Sequence, residues 1–272
     1  MISSPPRIAI PEPSSIDKEY SEGSWPDYAR AVEAAGGTAV RVPLTESQAT
    51  VAQLAGSCAG ILLPGNGADV NPEKYGQKAI PECGATDPLR ESVDDLLLQD
   101  AFNLNKAIFG ICYGLQTLNV WRNGTLVQDL PTSKPTGSVE HAAGPKVLEA
   151  HLINIARPSY LANIVDLTSV LDLSTTGQRV EKTGEQLQLL VNSSHHQAVA
   201  QPGDQLEVVA LSAEDGVIEA LERVTADQFV IGVQWHPERT YETSAASREL
   251  FRAFVEAASA WKPRPIHASV SQ

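Results

Sequence analysis

AIFGICYGLQTLNVWRNGT, from Ala107 to Thr125, is the stretch on which the reading of the fold turns. An apolar run from Ala107 to Ile111 stops at Cys112, and beyond it Leu115, Leu118, Asn119 and Trp121 recur at helical spacing. The pattern predicts a strand, a tight turn and a helix. Gly110 and Gly114 flank the cysteine as G-x-C-x-G, the pattern of a nucleophile elbow with sulfur in place of a serine hydroxyl. Small neighbours allow a strained turn to hold the thiol above a sheet, and the N-terminus of the following helix favours the thiolate. The same turn offers the Tyr113 N–H to a developing oxyanion. On this stretch alone, a buried core cysteine is the competing reading.

Toward the N-terminus, strand-like and helix-like segments alternate. Arg7 to Ile10 reads as a strand ended by Pro11, followed by a Pro/Ser-rich loop as far as Gly23. Ser24, Trp25 and Pro26 read as a helix start, with Gly36 as its stop. Thr38 to Val42 is a second strand, Thr45 to Ala55 a helix, and Ala59 to Leu63 a third strand. PGNGADVNPEKYG, Pro64 to Gly76, lies just past that strand's carboxyl end, where an open parallel sheet keeps its ligand loops; a plain surface loop is the alternative. Asp87 and Pro88 then open a helix to about Asn103. This alternation predicts an α/β protein with a parallel sheet and helices on both faces.

From Leu126 the pattern becomes more β and less regular, with strands expected at Lys146 to Ile155, Leu187 to Asn192, Leu206 to Leu211, Gly216 to Arg223 and Phe229 to Gln234. A helix from Ser247 to Ala258 closes the fold. No linker separates the halves, so residues 1–262 read as one domain and 263–272 as a loosely attached tail. Directly after the Phe229 to Gln234 strand comes Trp235-His236-Pro237-Glu238. In an extended segment His236 and Glu238 lie on one side, so the carboxylate can hold one imidazole nitrogen and leave the other to a thiol. Cys112, His236 and Glu238 thus form a candidate triad at the ends of two parallel strands.

VNSSHHQ, Val191 to Gln197, is the other histidine-rich stretch. Extended, His195 and His196 point to opposite faces and do not share a metal. His195 and Gln197 are candidate substrate contacts, with a polar loop as the alternative, and His141 and His151 read as structural or solvated. Three cysteines, Cys58, Cys83 and Cys112, suit neither a disulfide framework nor a zinc site. The net charge of −13 argues against nucleic acid or an anionic membrane as partner. With no apolar run approaching a membrane span, a cytoplasmic protein without metal or cofactor is expected.

GICYGLQ, NSSHHQ and GVQWHPE, in that order, resemble the class I glutamine amidotransferase-like superfamily. Within it, PGNGADVNPEKYG, LNVWRNGTLVQDL, DGVIEA and HHQAV resemble the gamma-glutamyl-gamma-aminobutyrate hydrolases, from about Arg7 to Phe254. The resemblance implies a flavodoxin-like three-layer sandwich, with a mostly parallel central sheet and helices on both faces. It also implies hydrolysis of a gamma-glutamyl amide through a thioester. Cys112 matches the nucleophile, His236 the general base and Glu238 its orienting carboxylate, with oxyanion donors at Tyr113 and the Gly65-Asn66 turn. His195, Gln197 and Gln116 fall at substrate-binding positions, and the expected partner is a small gamma-glutamyl compound, a homodimer being left open. A glutaminase subunit feeding a separate synthase and a non-catalytic ligand-binding relative are the alternatives. Three departures bear on substrate choice rather than chemistry: Tyr113 where the hydrolases often have arginine, Asn66 where a second glycine is frequent, and Asn123 where NGT is usually GGT. The loop after Leu63, Pro131 to Pro145 and Pro158 to Gly184 are expected to wall the pocket.

Overall fold

The first half of the chain alternates strand and helix: β1 (Arg7–Pro11), α1 (Lys18–Ala34), β2 (Thr38–Val42), α2 (Gln48–Gly56), β3 (Gly60–Leu63), α3 (Pro88–Leu104), β4 (Ala107–Ile111) and α4 (Tyr113–Trp121). Strands dominate thereafter: β5 (Thr125–Val127), α5 (Leu130–Ser133), β6 (His151–Ala156), α6 (Tyr160–Asp166), β7 (Glu181–Thr183), β8 (Gln186–Val191), β9 (Ala198–Gln201), β10 (Leu206–Ser212), β11 (Ile218–Arg223), β12 (Val230–Val233) and α7 (Ala245–Ala260). The computed structural model describes residues 4–133, 139–166, 181–183, 186–225 and 227–263. The tail expected from Pro263 lies, beyond that residue, outside the described residues. So do residues 134–138 of the expected second pocket loop and residues 167–180 and 184 of the third.

The strands join in the order β2-β1-β3-β4-β12-β11-β10-β6-β8-β7, with β9 pairing β11 and β5 pairing β9. β2, β1, β3, β4 and β12 run parallel. From β11 onward the sheet continues antiparallel. The parallel half is buried on both faces, which is why its strands are continuous apolar runs. Successive side chains still alternate. Ile8, Ile10, Phe109, Ile111, Ile231 and Val233 face one core, with Tyr28 and Val32 of α1 and Leu250, Phe251 and Phe254 of α7. Ala9, Ile61, Leu63, Ile108 and Val230 face the other, with Val51 of α2, Val93 and Leu97 of α3, and Leu115 and Leu118 of α4. Each fully buried side chain of this size contributes about 1.5–3 kcal/mol. Phe109, against Phe251 at 5.4 Å between ring centroids, anchors α7 under the strand that carries Cys112.

Three expected boundaries change. α1 begins at Lys18 rather than beside Pro26, because Asp17 caps it by accepting from the Tyr20 N–H. Pro26 therefore sits inside the helix, at the cost of one backbone bond, and the added turns carry Tyr20 and Gly23 toward the site. The strand expected from Lys146 starts only at His151, where pairing with β8 begins. The segment expected to be a third pocket loop contains α6, whose Leu161, Ile164 and Val165 belong to the core beside α7. Its polar start at Ser159 caps the helix by accepting from the Ala162 N–H. Among the described residues no helix is long and apolar enough to cross a membrane.

Candidate active site

Cys112 stands between β4 and α4 with φ 53 and ψ −107, a positive-φ backbone that a non-glycine residue adopts only when its surroundings enforce it. The flanking glycines do the enforcing. A Cβ on Gly110 would come within 2.7 Å of the Gly114 carbonyl oxygen, and one on Gly114 would overlap the Leu63 carbonyl. Helix α4 thereby starts almost in contact with β3 and β4, and Cys112 is left 5% exposed at its N-terminus.

His236 follows β12, the parallel neighbour of β4. Glu238 lies in a short 3₁₀ turn, Pro237–Thr240, rather than in extended chain, and the turn still brings it to the ring. His236 Nδ1 lies 2.7 Å from Glu238 Oε1, and the imidazole lies within electrostatic reach of Cys112. Burial opposes a charge on the ring, yet Glu238 and Cys112 outweigh it and raise the pKa from 6.5 to about 9. Burial opposes the Glu238 carboxylate too, and the attraction of His236 wins, holding its pKa below the usual value. Asn192 fixes the backbone of His236 from both sides: its Oδ1 accepts from the His236 N–H at 2.8 Å and its Nδ2 donates to the His236 carbonyl at 2.8 Å.

The turn after β3 is held just as firmly. Arg90 of α3, fully buried, donates to the Pro64 and Pro13 carbonyls at 2.7 Å each and to Asp94 at 2.8 Å. Asp87 accepts from the Ser14 hydroxyl, from both donors of Ser15 and from the Asn66 amide. Burial works against its charge, but the donors, Ser15 foremost, keep its pKa low. The Gly65 N–H is given to the Tyr28 hydroxyl at 3.0 Å, which leaves Asn66 as the backbone donor this turn can still offer. A side chain at position 65 would meet His236, Tyr28 and Tyr20 at once, with His236 Cε1 at 2.9 Å from a Cβ.

A pocket of about 790 Å³ opens over His236. Its wall takes Asn66 and Gly67 from the loop after β3, Ala142, Gly144 and Pro145 from the expected second loop, and His195 and His196 from the β8–β9 turn. Tyr20, Ser24 and Asp27 of α1 complete one side, and Arg239, donating to Ser194 Oγ at 2.8 Å, places a cation over it. His195 and His196 do diverge. His196 bridges Asp69 at 2.8 Å and Asp129 at 3.0 Å, and these carboxylates, Asp69 foremost, lift its pKa to about 9.

Gln116 and Gln197 are not pocket residues. Gln116 Nε2 donates to the Gln197 carbonyl at 3.0 Å, which ties α4 to the start of β9, and Gln197 Nε2 donates to the Gln128 carbonyl at 3.0 Å, which ties that point to the end of β5. The Tyr113 side chain turns away from the pocket into the core, its ring 5.1 Å from the Arg90 guanidinium carbon. Asn123 takes φ 69, which explains why an asparagine can replace a glycine in that turn.

A cysteine elbow on one parallel strand, with histidine and glutamate after the next, on a sheet of this order, makes this a glutamine amidotransferase-like protein. The chain belongs to the Peptidase C26 family, whose model matches residues 12–238, and with it to the amide hydrolases. It is 35% identical over 264 residues to a Rickettsia prowazekii protein named as glutamine amidotransferase-like, covering 88% of this chain and 91% of that one. It is 29% identical over 238 residues to the gamma-glutamyl-gamma-aminobutyrate hydrolase PuuD of Escherichia coli, covering 85% and 84%. Two solved structures share the fold. The glutaminase domain of Trypanosoma brucei CTPS has a TM-score of 0.56 at 14% identity, over 94% of this chain and 96% of that one. A glutamine amidotransferase of Methylobacillus flagellatus has a TM-score of 0.51 at 14% identity, over 97% and 98%.

Proposed function

We propose that the protein hydrolyses the gamma-glutamyl amide bond of small gamma-glutamyl amines, through a thioester on Cys112. The observation that carries this reading is the bond of 2.7 Å from His236 Nδ1 to Glu238, on a ring that lines a roomy pocket and lies within electrostatic reach of Cys112. Cys112 sulfur attacks the carboxamide carbon while the Tyr113 and Asn66 N–H groups hold the oxyanion. His236 gives its proton to the leaving amine, then takes one from the water that cleaves the thioester. Arg239 provides a cation for a substrate carboxylate.

A pocket of about 790 Å³ has room for a leaving amine larger than ammonia. Because Tyr113 faces the core, its departure from the hydrolases' frequent arginine does not argue for a different leaving group. The relative named PuuD is a gamma-glutamyl-gamma-aminobutyrate hydrolase, and 4-aminobutyrate is the first leaving amine to try. The test incubates purified protein, without a partner, with glutamine and a set of gamma-glutamyl amines. Glutamate released from the larger amides is expected. Activity on glutamine alone, rising only when cell extract is added, would favour a glutaminase subunit instead.

The raised His236 pKa sets the alkaline limit. The group must carry its proton to release the amine, so kcat/KM is expected to fall as pH rises through about 9. Glu238→Gln removes one of the two attractions that hold the proton. It should lower kcat by about 10²-fold and move the alkaline limb down toward 6.5. A limb that stays in place in the variant would mean that His236 is not the group titrating.

A further inference from the structure

A second cluster lies beyond His195, and the proposed chemistry does not use it. His141 comes from the segment before β6, His151 opens β6, His195 sits between β8 and β9, and Glu219 is on β11. All four are buried, Glu219 completely. The three rings gather around one carboxylate oxygen: Glu219 Oε1 is 3.1 Å from His151 Nε2, 3.5 Å from His141 Nδ1 and 3.8 Å from His195 Nε2. The His141 ring stands 4.8 Å from that of His151 and 4.9 Å from that of His195, between centroids.

Hydrogen bonding explains only part of this. His141 Nε2 faces Asp215 Oδ2 at 3.0 Å, and His195 Nδ1 faces the Gln197 carbonyl at 2.9 Å. Both oxygens can only accept, so those two nitrogens carry protons, and in the neutral rings the lone pairs of His141 Nδ1 and His195 Nε2 turn toward Glu219, whose Oε1 also meets His151 Nε2 at hydrogen-bond distance. Neither of these inward nitrogens has a hydrogen-bond partner, nor does Glu219 Oε2. Lone pairs of buried rings converging on a carboxylate are unfavourable without a positive charge among them. The outward partners of His141 and His195, a carboxylate and a backbone carbonyl, are the groups that orient metal-binding histidines. One ligand atom from each of His141, His151 and Glu219 lies within 4.8 Å of the other two. Bonds of about 2.0–2.1 Å in a tetrahedral zinc site put neighbouring ligand atoms about 3.3–3.4 Å apart, and the three distances to Glu219 lie on either side of that value.

We infer that His141, His151, Glu219 and His195 bind a divalent transition metal of the zinc class. An imidazole-rich set of four with one carboxylate suits zinc better than calcium or magnesium, which want oxygen ligands. His141, His151 and Glu219 are the three whose ligand atoms lie together, and His195, with Nε2 3.8 Å from Glu219 Oε1, is the fourth that closing around an ion would add; a tetrahedral shell filled in this way makes the ion structural. It joins the segment bearing Ala142, Gly144 and Pro145 to β6, β11 and the His195 turn, and so fixes the pocket wall opposite α1. The His141 carbonyl, accepting from the His195 N–H at 2.9 Å and the Ser193 hydroxyl at 2.8 Å, already holds the same junction by its backbone.

The experiment measures metal, not turnover, so it stands apart from the proposed reaction. Full-length protein without a histidine tag is analysed by plasma mass spectrometry, then stripped with chelator and titrated with zinc alone while its thermal midpoint is followed. About one equivalent of zinc per chain is expected, with a midpoint several degrees lower after stripping and restored by zinc. Glu219→Gln should cut retention at least about tenfold, and Asp215→Asn, which leaves all four ligands in place, by about 10- to 100-fold with an unchanged circular dichroism spectrum. Less than about a tenth of an equivalent of any transition metal, together with a stripped protein whose midpoint does not respond to zinc, would overturn the assignment.

Discussion

Cys112→Ala is expected to lower turnover by on the order of 10⁴-fold or more and to abolish the acyl-enzyme, since without the thiol the backbone donors have no tetrahedral intermediate to hold. The other two thiols cannot substitute for it. Cys58 is buried, and that burial pushes its pKa up. Cys83 is pushed up to about 11, by burial first and by Asp69 next to it. A mass-tagged electrophile built on a gamma-glutamyl group should therefore label one site, in the peptide that contains Cys112. Label on Cys58 or Cys83, or an acyl-enzyme surviving in the Cys112→Ala protein, would show that the elbow is not where the reaction occurs.

Among the described glycines, Gly114 should tolerate an added methyl least, so Gly114→Ala is expected to be strongly damaging. By helix propensity alone the change would stabilise α4 by about 1 kcal/mol. Packing gives the opposite sign, because the new Cβ would overlap the Leu63 carbonyl, which belongs to backbone and cannot swing away. A loss of about 3 kcal/mol or more is expected from the denaturant midpoint, along with loss of activity as the helix backs away from β3 and Cys112 leaves its strained turn. A variant as stable as the parent would refute the close approach of α4 to β3.

These two residues belong to the part of the fold that local pattern reveals. Ala107 to Ile111 is apolar throughout because both faces of β4 are covered, and the helical repeat of Leu115 and Leu118 follows at once. His236 and Glu238 are near neighbours in the chain, so their pairing is visible before any strand order is known. Asp87 announces α3 by its capping chemistry. What sequence reading misses is carried by contacts across long separations: Asn192 on His236, Arg90 on Pro64, and Tyr28 on Gly65. No spacing rule encodes those meetings, because they are set by strand order. The cluster of His141, His151, His195 and Glu219 is hidden for the same reason, its members coming from separate segments that only the antiparallel half of the sheet brings together. At the start of α1 the difficulty is local instead. Pro26, after Ser24 and Trp25, imitates a first helical residue, while Asp17 does the capping further upstream.

The seam between β12 and β11 divides the molecule's labour in a way that bears on its history. Cys112 and His236 stand at the ends of the last two parallel strands, whereas much of the pocket wall hangs from the antiparallel extension beyond β11. In the proposed reaction the bond-breaking groups therefore sit on the parallel stretch of the sheet, while part of the wall that would select the amine sits on the antiparallel one. Insertions and substitutions in the extension can retune which amine is accepted while the elbow, with its intolerant glycines, stays as it is. A lineage built this way diversifies its substrates by exchanging walls over a constant floor, and an engineer seeking a new leaving group would graft the segment from Glu140 to Leu148 and leave β4 and β12 untouched.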